Sequence, residues 1–211
     1  MAPPNKRQKT MPQPSDKSDF VTITIPSGKE FSAHAHLLAH HSKYFLRALN
    51  SPFREATTRH FELSEWATEA TVSTFVMWIY GSPESITFAE RLTYQDVIEC
   101  WLLGDYILAT EFRNSVIRAM FERKVDTDAI IASSKRISSE CRLVPFFVRL
   151  LCRDVNIYDI KVLENLLEEL PRTLLLQVTK RAISQTIRLI GRAANHGDNF
   201  RFSVEEHLEE L

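Results

Sequence analysis

The first strongly patterned stretch of the chain alternates apolar and polar residues. Between residues 21 and 25, three β-branched apolar residues alternate with two threonines, which is the period of a half-buried strand. Residues 26–29, Pro-Ser-Gly-Lys, then predict a tight turn in which Gly28 takes a positive φ. Residues 30–33 return as a second strand, so the pattern predicts a β-hairpin.

From His36 the period changes. Apolar residues recur at helical spacing as far as Leu49, and residues 50–52, Asn-Ser-Pro, should end this single helix. Ser42 would then lie in mid-helix, where a small hydroxyl allows close approach of another helix and can bond back to the preceding turn. Phe61-Glu62-Leu63 alternates again and predicts a third strand.

Helical spacing dominates the remainder of the chain. One helix should end at Gly81, and Thr93 with Asp96 resembles an N-cap pair that opens the next. Pro171 suits the first residue of a last helix that runs to about Gly191, because its missing N–H is not needed there. A hairpin, a helix, a lone strand and then helices only is not the alternation of a parallel nucleotide-binding sheet.

We therefore predict an α+β fold, in which a small sheet covered by helices is followed by an all-helical C-terminal extension. Four apolar side chains should fill the core between the sheet and the helices. They are Phe31, Leu38, Phe45 and Phe75. In the extension, the leucine-rich stretch 163–176 should be a core face, with a partner-binding groove as the alternative.

Composition narrows the classes of partner. The 211 residues carry a formal net charge of −1, so no overall field selects nucleic acid or membrane, and we expect neither as a partner. The N-terminus lacks the apolar run of a signal peptide, and no stretch of about 18 apolar residues occurs. Cys100, Cys141 and Cys152 form no Cys-x-x-Cys pair, which favours reduced thiols in an intracellular protein.

The two ends of the chain are polar. Residues 1–18 hold four prolines and few apolar residues, so we predict a disordered tail. Within it, Lys6, Arg7 and Lys9 form the pattern of a short nuclear import signal, although such basic runs also occur by chance. We expect a nuclear or cytoplasmic location, or both. Residues 195–211 are polar, end acidic and should fray.

Several sequence blocks, in order and at suitable spacing, resemble the BTB/POZ family over roughly residues 19–125. The blocks are Asp19-Phe-Val-Thr-Ile, Phe31-Ser-Ala-His34, Ser42-Lys-Tyr44-Phe45, Phe53-Arg54-Glu55, Phe61-Glu-Leu63, Trp78-Ile79-Tyr80-Gly81 and Leu103-Gly104-Asp105-Tyr106. Residues 126–194 occupy the position of the helical extensions that often follow such domains. The resemblance implies a non-enzymatic protein-interaction module, which can serve as a substrate adaptor for a cullin-type ubiquitin ligase.

The resemblance also implies where a cullin would bind. Cullin-binding members often carry a hydrophobic-x-Glu triplet after the Ser-x-Tyr-Phe helix, and Phe53 and Glu55 match it. The alternative is that Phe53 packs onto its own core and Glu55 is merely solvated. A second alternative is a nuclear transcriptional cofactor or scaffold, and a third, from another class, is an enzyme whose site carries no recognisable motif.

Self-association should be weak or absent. Long-form members of the family exchange an N-terminal strand between partners, whereas the equivalent stretch here is short and rich in proline. Their dimers also often pair an acidic residue at the position of Asp19 with a basic residue just after the His. The residue after His34 is Ala35, so this pocket would lack its cation.

No catalytic, cofactor or metal site is predicted. His36 and His40 have the i,i+4 spacing that can bind a metal, and His34 and His41 lie close by, but no carboxylate or cysteine accompanies them. We interpret them as structural or solvated histidines. The five glycines include no phosphate-binding loop, and no serine or cysteine carries a nucleophile motif.

Overall fold

The computed structural model describes residues 19–64, 66–81, 92–154 and 160–195. The predicted disorder of residues 1–18 and fraying beyond residue 195 lie outside the described residues. The chain divides into two compact units, the first ending at Ala129 and the second beginning at Ile130. The finer boundaries of the sequence analysis stay a prediction.

A three-stranded sheet anchors the first unit. Its strands are β1 (Phe20–Thr24), β2 (Glu30–His34) and β3 (His60–Glu62), in the order β2-β1-β3. β1 pairs antiparallel with β2 and parallel with β3, so the sheet is mixed. Gly28, in the turn between β1 and β2, has a φ of 80°, a conformation that glycine adopts without steric cost. The predicted hairpin is therefore confirmed.

The other regular elements of the described chain are helices. They are α1 (Ala35–His41), α2 (Lys43–Leu49), α3 (Arg54–Thr58), α4 (Glu69–Tyr80), α5 (Tyr94–Tyr106), α6 (Thr110–Glu122), α7 (Thr127–Ser134), α8 (Leu143–Asp154), α9 (Ile160–Glu169) and α10 (Arg172–Asn195). The predicted N-cap pair is present, because the Thr93 side chain accepts from the Asp96 N–H and the Asp96 carboxylate accepts from the Thr93 N–H. The α+β class with a helical C-terminal part is confirmed.

The helix predicted from His36 to Leu49 is two helices, and the mid-helix placement of Ser42 is wrong. Ser42 is extended, with φ −131° and ψ 120°, between α1 and α2. Its buried hydroxyl donates to the Ile107 carbonyl at 2.6 Å and accepts from the Phe45 N–H at 3.2 Å. These two bonds make Ser42 the N-cap of α2 and connect that helix to the end of α5.

Three of the four predicted core residues are confirmed. Leu38, Phe45 and Phe75 are almost fully buried, and the ring of Phe45 packs edge-on against that of Phe61 with centroids 5.2 Å apart. Phe31 is only half-buried, so its assignment to the core is wrong. Phe31 lies at the turn end of the edge strand β2, whereas Ala33, two residues further along the same face of this strand, is fully buried.

The block Leu103-Gly104-Asp105-Tyr106 lies where α5 and α6 come close together. A Cβ atom on Gly104 would lie 2.9 Å from Cγ of Arg113 and 3.0 Å from Cδ1 of Phe112. The Arg113 guanidinium also forms an ion pair with Asp105 and lies over the Trp101 ring, 5.6 Å from its centroid. The absence of a side chain at Gly104 therefore lets the two helices approach.

The second unit has its own apolar face. Helix α8 packs against α10, and both contribute buried residues, including Phe147, Leu151 and Leu174. In the leucine-rich stretch, Leu166, Leu170 and Leu174 are buried, which is the four-residue spacing of one helical face.

Two details of the second unit differ from the expectations. Pro171 precedes α10 rather than opening it, and its carbonyl accepts from the Leu175 N–H at 2.9 Å. The helix continues to Asn195, four residues beyond the predicted end near Gly191. Nowhere in the described ranges is a helix both long and apolar enough to cross a membrane.

Candidate partner-binding surface

The segment around Phe53 is shaped by short-range polar contacts. After α2, the Ser51 hydroxyl donates to the Ala48 carbonyl at 2.7 Å and accepts from the Phe53 N–H at 3.3 Å. Phe53 is itself extended and directly precedes α3. Its side chain is 67% exposed, so the alternative in which Phe53 packs onto its own core is wrong.

The other end of α3 is tied to the sheet. Arg59 ends the helix in a left-handed conformation, with a φ of 54°. Its guanidinium lies 2.9 Å from the Asp19 carboxylate, and its carbonyl accepts from the Thr22 N–H at 2.9 Å. Polar contacts therefore hold the chain on both sides of residues 53–58.

Arg59 is a residue that the sequence analysis missed. The resemblance places the cation for Asp19 at position 35, where Ala35 is buried and carries no charge. The actual partner lies 40 positions beyond Asp19 in the sequence. No local spacing signals that pairing, because it depends on the parallel alignment of β3 beside β1.

Two tyrosines lie close together, and one of them, Tyr44, is near Glu55. The rings of Tyr44 and Tyr106 are 6.0 Å apart between centroids, and Tyr106 is 38% exposed while Tyr44 is half-buried. Burial raises the pKa of the Tyr44 phenol, and the nearby Tyr106 and Glu55 raise it further. Tyr44 therefore keeps its proton at neutral pH and remains able to donate a hydrogen bond.

These residues define what we call the Phe53 surface, namely Tyr44, Phe53, Glu55 and Tyr106. It combines one strongly exposed ring, two amphipathic tyrosines and one exposed carboxylate. Aromatic residues supply a large contact area, and each tyrosine adds one polar hydroxyl group. Such a surface can bind another protein, whereas it offers no nucleophile paired with a base.

The four histidines do not assemble a metal centre. The Tyr80 hydroxyl lies 2.6 Å from Nδ1 of His34 and accepts from the His34 main-chain N–H at 2.9 Å. The His41 ring packs edge-on against Trp78, with centroids 4.9 Å apart. Within the ranges that the structure describes, no group of three or more His, Cys, Asp or Glu residues could hold a metal ion.

The cysteines are free thiols, and one is deeply buried. Burial raises the pKa of the Cys100 thiol to about 12, against which a hydrogen bond with Thr74 acts. Burial also raises the pKa of the half-buried Cys152, while the charge of Arg181 opposes that rise. A thiol acts as a nucleophile only when deprotonated, so Cys100 is poorly suited to catalysis.

Comparison with known proteins identifies the class of the first unit. Residues 11–102 match the family model of the BTB/POZ domain, a general protein-protein interaction module and not an enzymatic family. The chain therefore carries a BTB/POZ domain, and the resemblance noted from the sequence blocks is confirmed. No curated protein matches the chain.

The candidate residues of the sequence analysis fall into two groups, the basic cluster near the N-terminus and the pair Phe53 and Glu55. Lys6, Arg7 and Lys9, which match the import pattern, fall outside the described residues, and their role stays a prediction. Phe53 and Glu55 are both exposed, and Glu55 is near Tyr44. Sequence reasoning missed Tyr106 as a neighbour of Tyr44.

Proposed function

We propose that this chain is a substrate adaptor for a cullin-type ubiquitin ligase, with the Phe53 surface as the contact for the cullin scaffold. The observation that carries the proposal is the exposure of the Phe53 ring, at 67%, beside the exposed carboxylate of Glu55. The resemblance assigns a hydrophobic-x-Glu triplet to this contact, and the structure leaves both of its side chains available.

The proposed contact combines an apolar side chain that enters a groove of the partner with a carboxylate that orients it. An aromatic side chain that enters a partner groove can dominate the binding free energy, while a neighbouring carboxylate fixes its orientation. The contacts of Ser51 and Arg59 on either side of the segment restrain its backbone before binding. Such restraint reduces the entropy lost on association.

Truncation of the anchor tests this proposal. Phe53→Ala should weaken binding to a purified cullin by about 2 kcal/mol, or roughly thirtyfold in Kd, measured by isothermal titration calorimetry. The thermal midpoint should stay nearly unchanged because the ring is exposed. Glu55→Ala should weaken binding less than Phe53→Ala does and should also leave the fold intact.

Phe20→Ala is the matched control. Phe20 is a second exposed phenylalanine of the same unit, at 45% exposure on β1, and its removal should leave cullin affinity unchanged. The adaptor proposal fails if the wild-type chain has no measurable affinity for cullins. It also fails if Phe53→Ala binds as tightly as the wild type.

We further propose that the N-terminal basic cluster directs the chain to the nucleus, which would also suit the alternative role as a nuclear cofactor or scaffold. Lys6, Arg7 and Lys9 are what an import receptor could read. A fluorescent fusion that lacks residues 1–18 should shift toward the cytoplasm. Unchanged localisation of that fusion would contradict the import role.

The proposed adaptor forms at most a weak homodimer. Asp19 forms its ion pair within the chain, with Arg59, and Ala35 offers no cation for a pocket shared with a partner. Light scattering should therefore give the monomer mass at low micromolar concentration. A dimer that persists on dilution and exchanges N-terminal strands would overturn this expectation.

A further inference from the structure

Helix α10 is apolar on two opposite sides. One side faces α8, where Leu174 is 2% exposed and the Val178 carbonyl lies 3.8 Å from Sγ of Cys152. On the other side, Leu176, Ile183 and Ile187 are 55%, 54% and 64% exposed. At about 100° per residue, these three side chains fall within about 40° of one another and about half a turn from Leu174. We call them the α10 stripe.

The charged residues of helix α10 are all positive. Helix α10 contains five cationic residues and no Asp or Glu. At about 100° per residue, Arg172 and Lys180, both exposed, lie within about 20° of the edges of the stripe, whereas the other three lie on the side of Leu174. Two copies paired through the stripe would bring these two cations of each copy together with no acidic residue of the helix, which opposes pairing of the stripe with itself. The occupant that fits is apolar and acidic.

The chain's own C-terminal sequence has that chemistry. Residues 196–211 directly follow α10 and contain five acidic residues and a single arginine. Five apolar residues are interspersed with the acids. They are Phe200, Phe202, Val204, Leu208 and Leu211.

The length of this segment also suffices. Ile187 lies 8 residues and Leu176 19 residues before Asn195, or about 12 Å and 29 Å along the helix at about 1.5 Å per residue. After a turn at residues 196–199, twelve residues reach back about 18 Å if helical and about 40 Å if extended. A chain that reverses after Asn195 can therefore return along the stripe.

We propose that residues 196–211 cover the α10 stripe, with their carboxylates facing the cationic residues that flank it. Against the stripe, this segment buries apolar area and gains charge attraction together, which neither surface achieves alone. The proposal concerns the second unit only and is independent of cullin binding.

Zero-length crosslinking of the full chain with a carbodiimide tests it. This reagent joins an amine to a carboxylate in direct contact, so Lys180 should become linked to glutamates among residues 205–210, detected by mass spectrometry of the monomer fraction. The ion pair between Lys135 and Glu169 supplies an internal reference, since its crosslink reports an intact helical unit.

Substitution of the stripe distinguishes contact from random collisions of a tethered tail. Ile183→Ser with Ile187→Ser should reduce the Lys180 crosslink by roughly fivefold or more, because apolar contact is lost, while the Lys135–Glu169 crosslink stays constant. Leu167→Ser is the matched control, because Leu167 is 52% exposed on α9 in the same unit, and it should change neither yield.

Three results would overturn the proposal. The first is a Lys135–Glu169 crosslink without any from Lys180 to the C-terminal segment. The second is a Lys180 crosslink whose yield is unchanged in the Ile183→Ser, Ile187→Ser variant. The third is a crosslink confined to dimers, which would assign the stripe to a second copy of the chain.

Discussion

The Phe53 surface and the α10 stripe expose apolar side chains in different ways. Phe53 is a single ring beside a helix of five residues, with polar contacts holding the backbone on both sides. The stripe spreads three side chains along a helix of 24 residues. In the proposed contacts, the first arrangement would concentrate the binding free energy in one side chain, whereas the second would divide it among several residues and the neighbouring charges.

This difference has a consequence for mutagenesis. Loss of one side chain should abolish most of the contact made by the Phe53 surface, while the stripe should need two or more substitutions before its contact fails. This difference requires that Phe53 lies at the surface, that polar contacts restrain the backbone beside it, and that each unit buries its own core.

The largest loss of stability is expected when a buried phenylalanine is truncated, in contrast to an exposed one. Phe45→Ala removes a side chain with 0% exposure and should lower the free energy of unfolding by about 3–5 kcal/mol, since it leaves a cavity next to Phe61. Phe53→Ala should change it by no more than about 0.5 kcal/mol. Urea denaturation followed by circular dichroism measures both free energies of unfolding. Equal losses of stability in the two variants would show that Phe53 is a core residue.

An intermediate loss of stability is expected when Ser42, at the start of α2, is substituted. Ser42→Ala removes the N-cap and the bond to the Ile107 carbonyl, which should destabilise the chain by about 1–3 kcal/mol. The exposed Ser32 on β2 provides the control, because Ser32→Ala should cost little in the same denaturation experiment. A neutral Ser42→Ala variant would show that the break between α1 and α2 does not depend on this hydroxyl.

The smallest effect on stability is expected for the cysteines, which should differ between the two units in reactivity instead. Because the pKa of Cys100 is about 12, iodoacetamide at pH 8 should modify Cys100 slower than Cys152 by on the order of a hundredfold. Peptide mass spectrometry after timed quenching measures both rates, and comparable rates would show that Cys100 is accessible.

The raised pKa of Cys100 also determines how the stability of the fold depends on pH. The folded chain binds the Cys100 proton more tightly than the unfolded chain, whose thiol has an ordinary pKa near 9.0. The resulting contribution to stability is complete below about pH 9 and is lost as the pH rises toward 12. No change from this group is expected between pH 5 and 8.

Local chemistry let the sequence predict much of the fold. Alternation marked the hairpin, the Thr93 and Asp96 pair marked the start of α5, and helical spacing marked most of the helices. Each of these signals lies within a few residues of the element that it specifies. The short helix α3 escaped prediction because residues 54–58, Arg-Glu-Ala-Thr-Thr, carry no apolar periodicity.

What the sequence by itself determined about this protein is the class of its elements and the presence of a BTB/POZ domain, and it named Phe53 and Glu55 as candidates for a partner contact. Only the tertiary structure decided that Phe53 is exposed, that Ser42 caps a helix instead of lying within one, and that Arg59 neutralises Asp19. The last two decisions depend on contacts between residues far apart in the chain, 65 positions for Ser42 and Ile107 and 40 for Asp19 and Arg59. Local spacing carries no information about such pairs, because the packing of the sheet and helices alone brings them together.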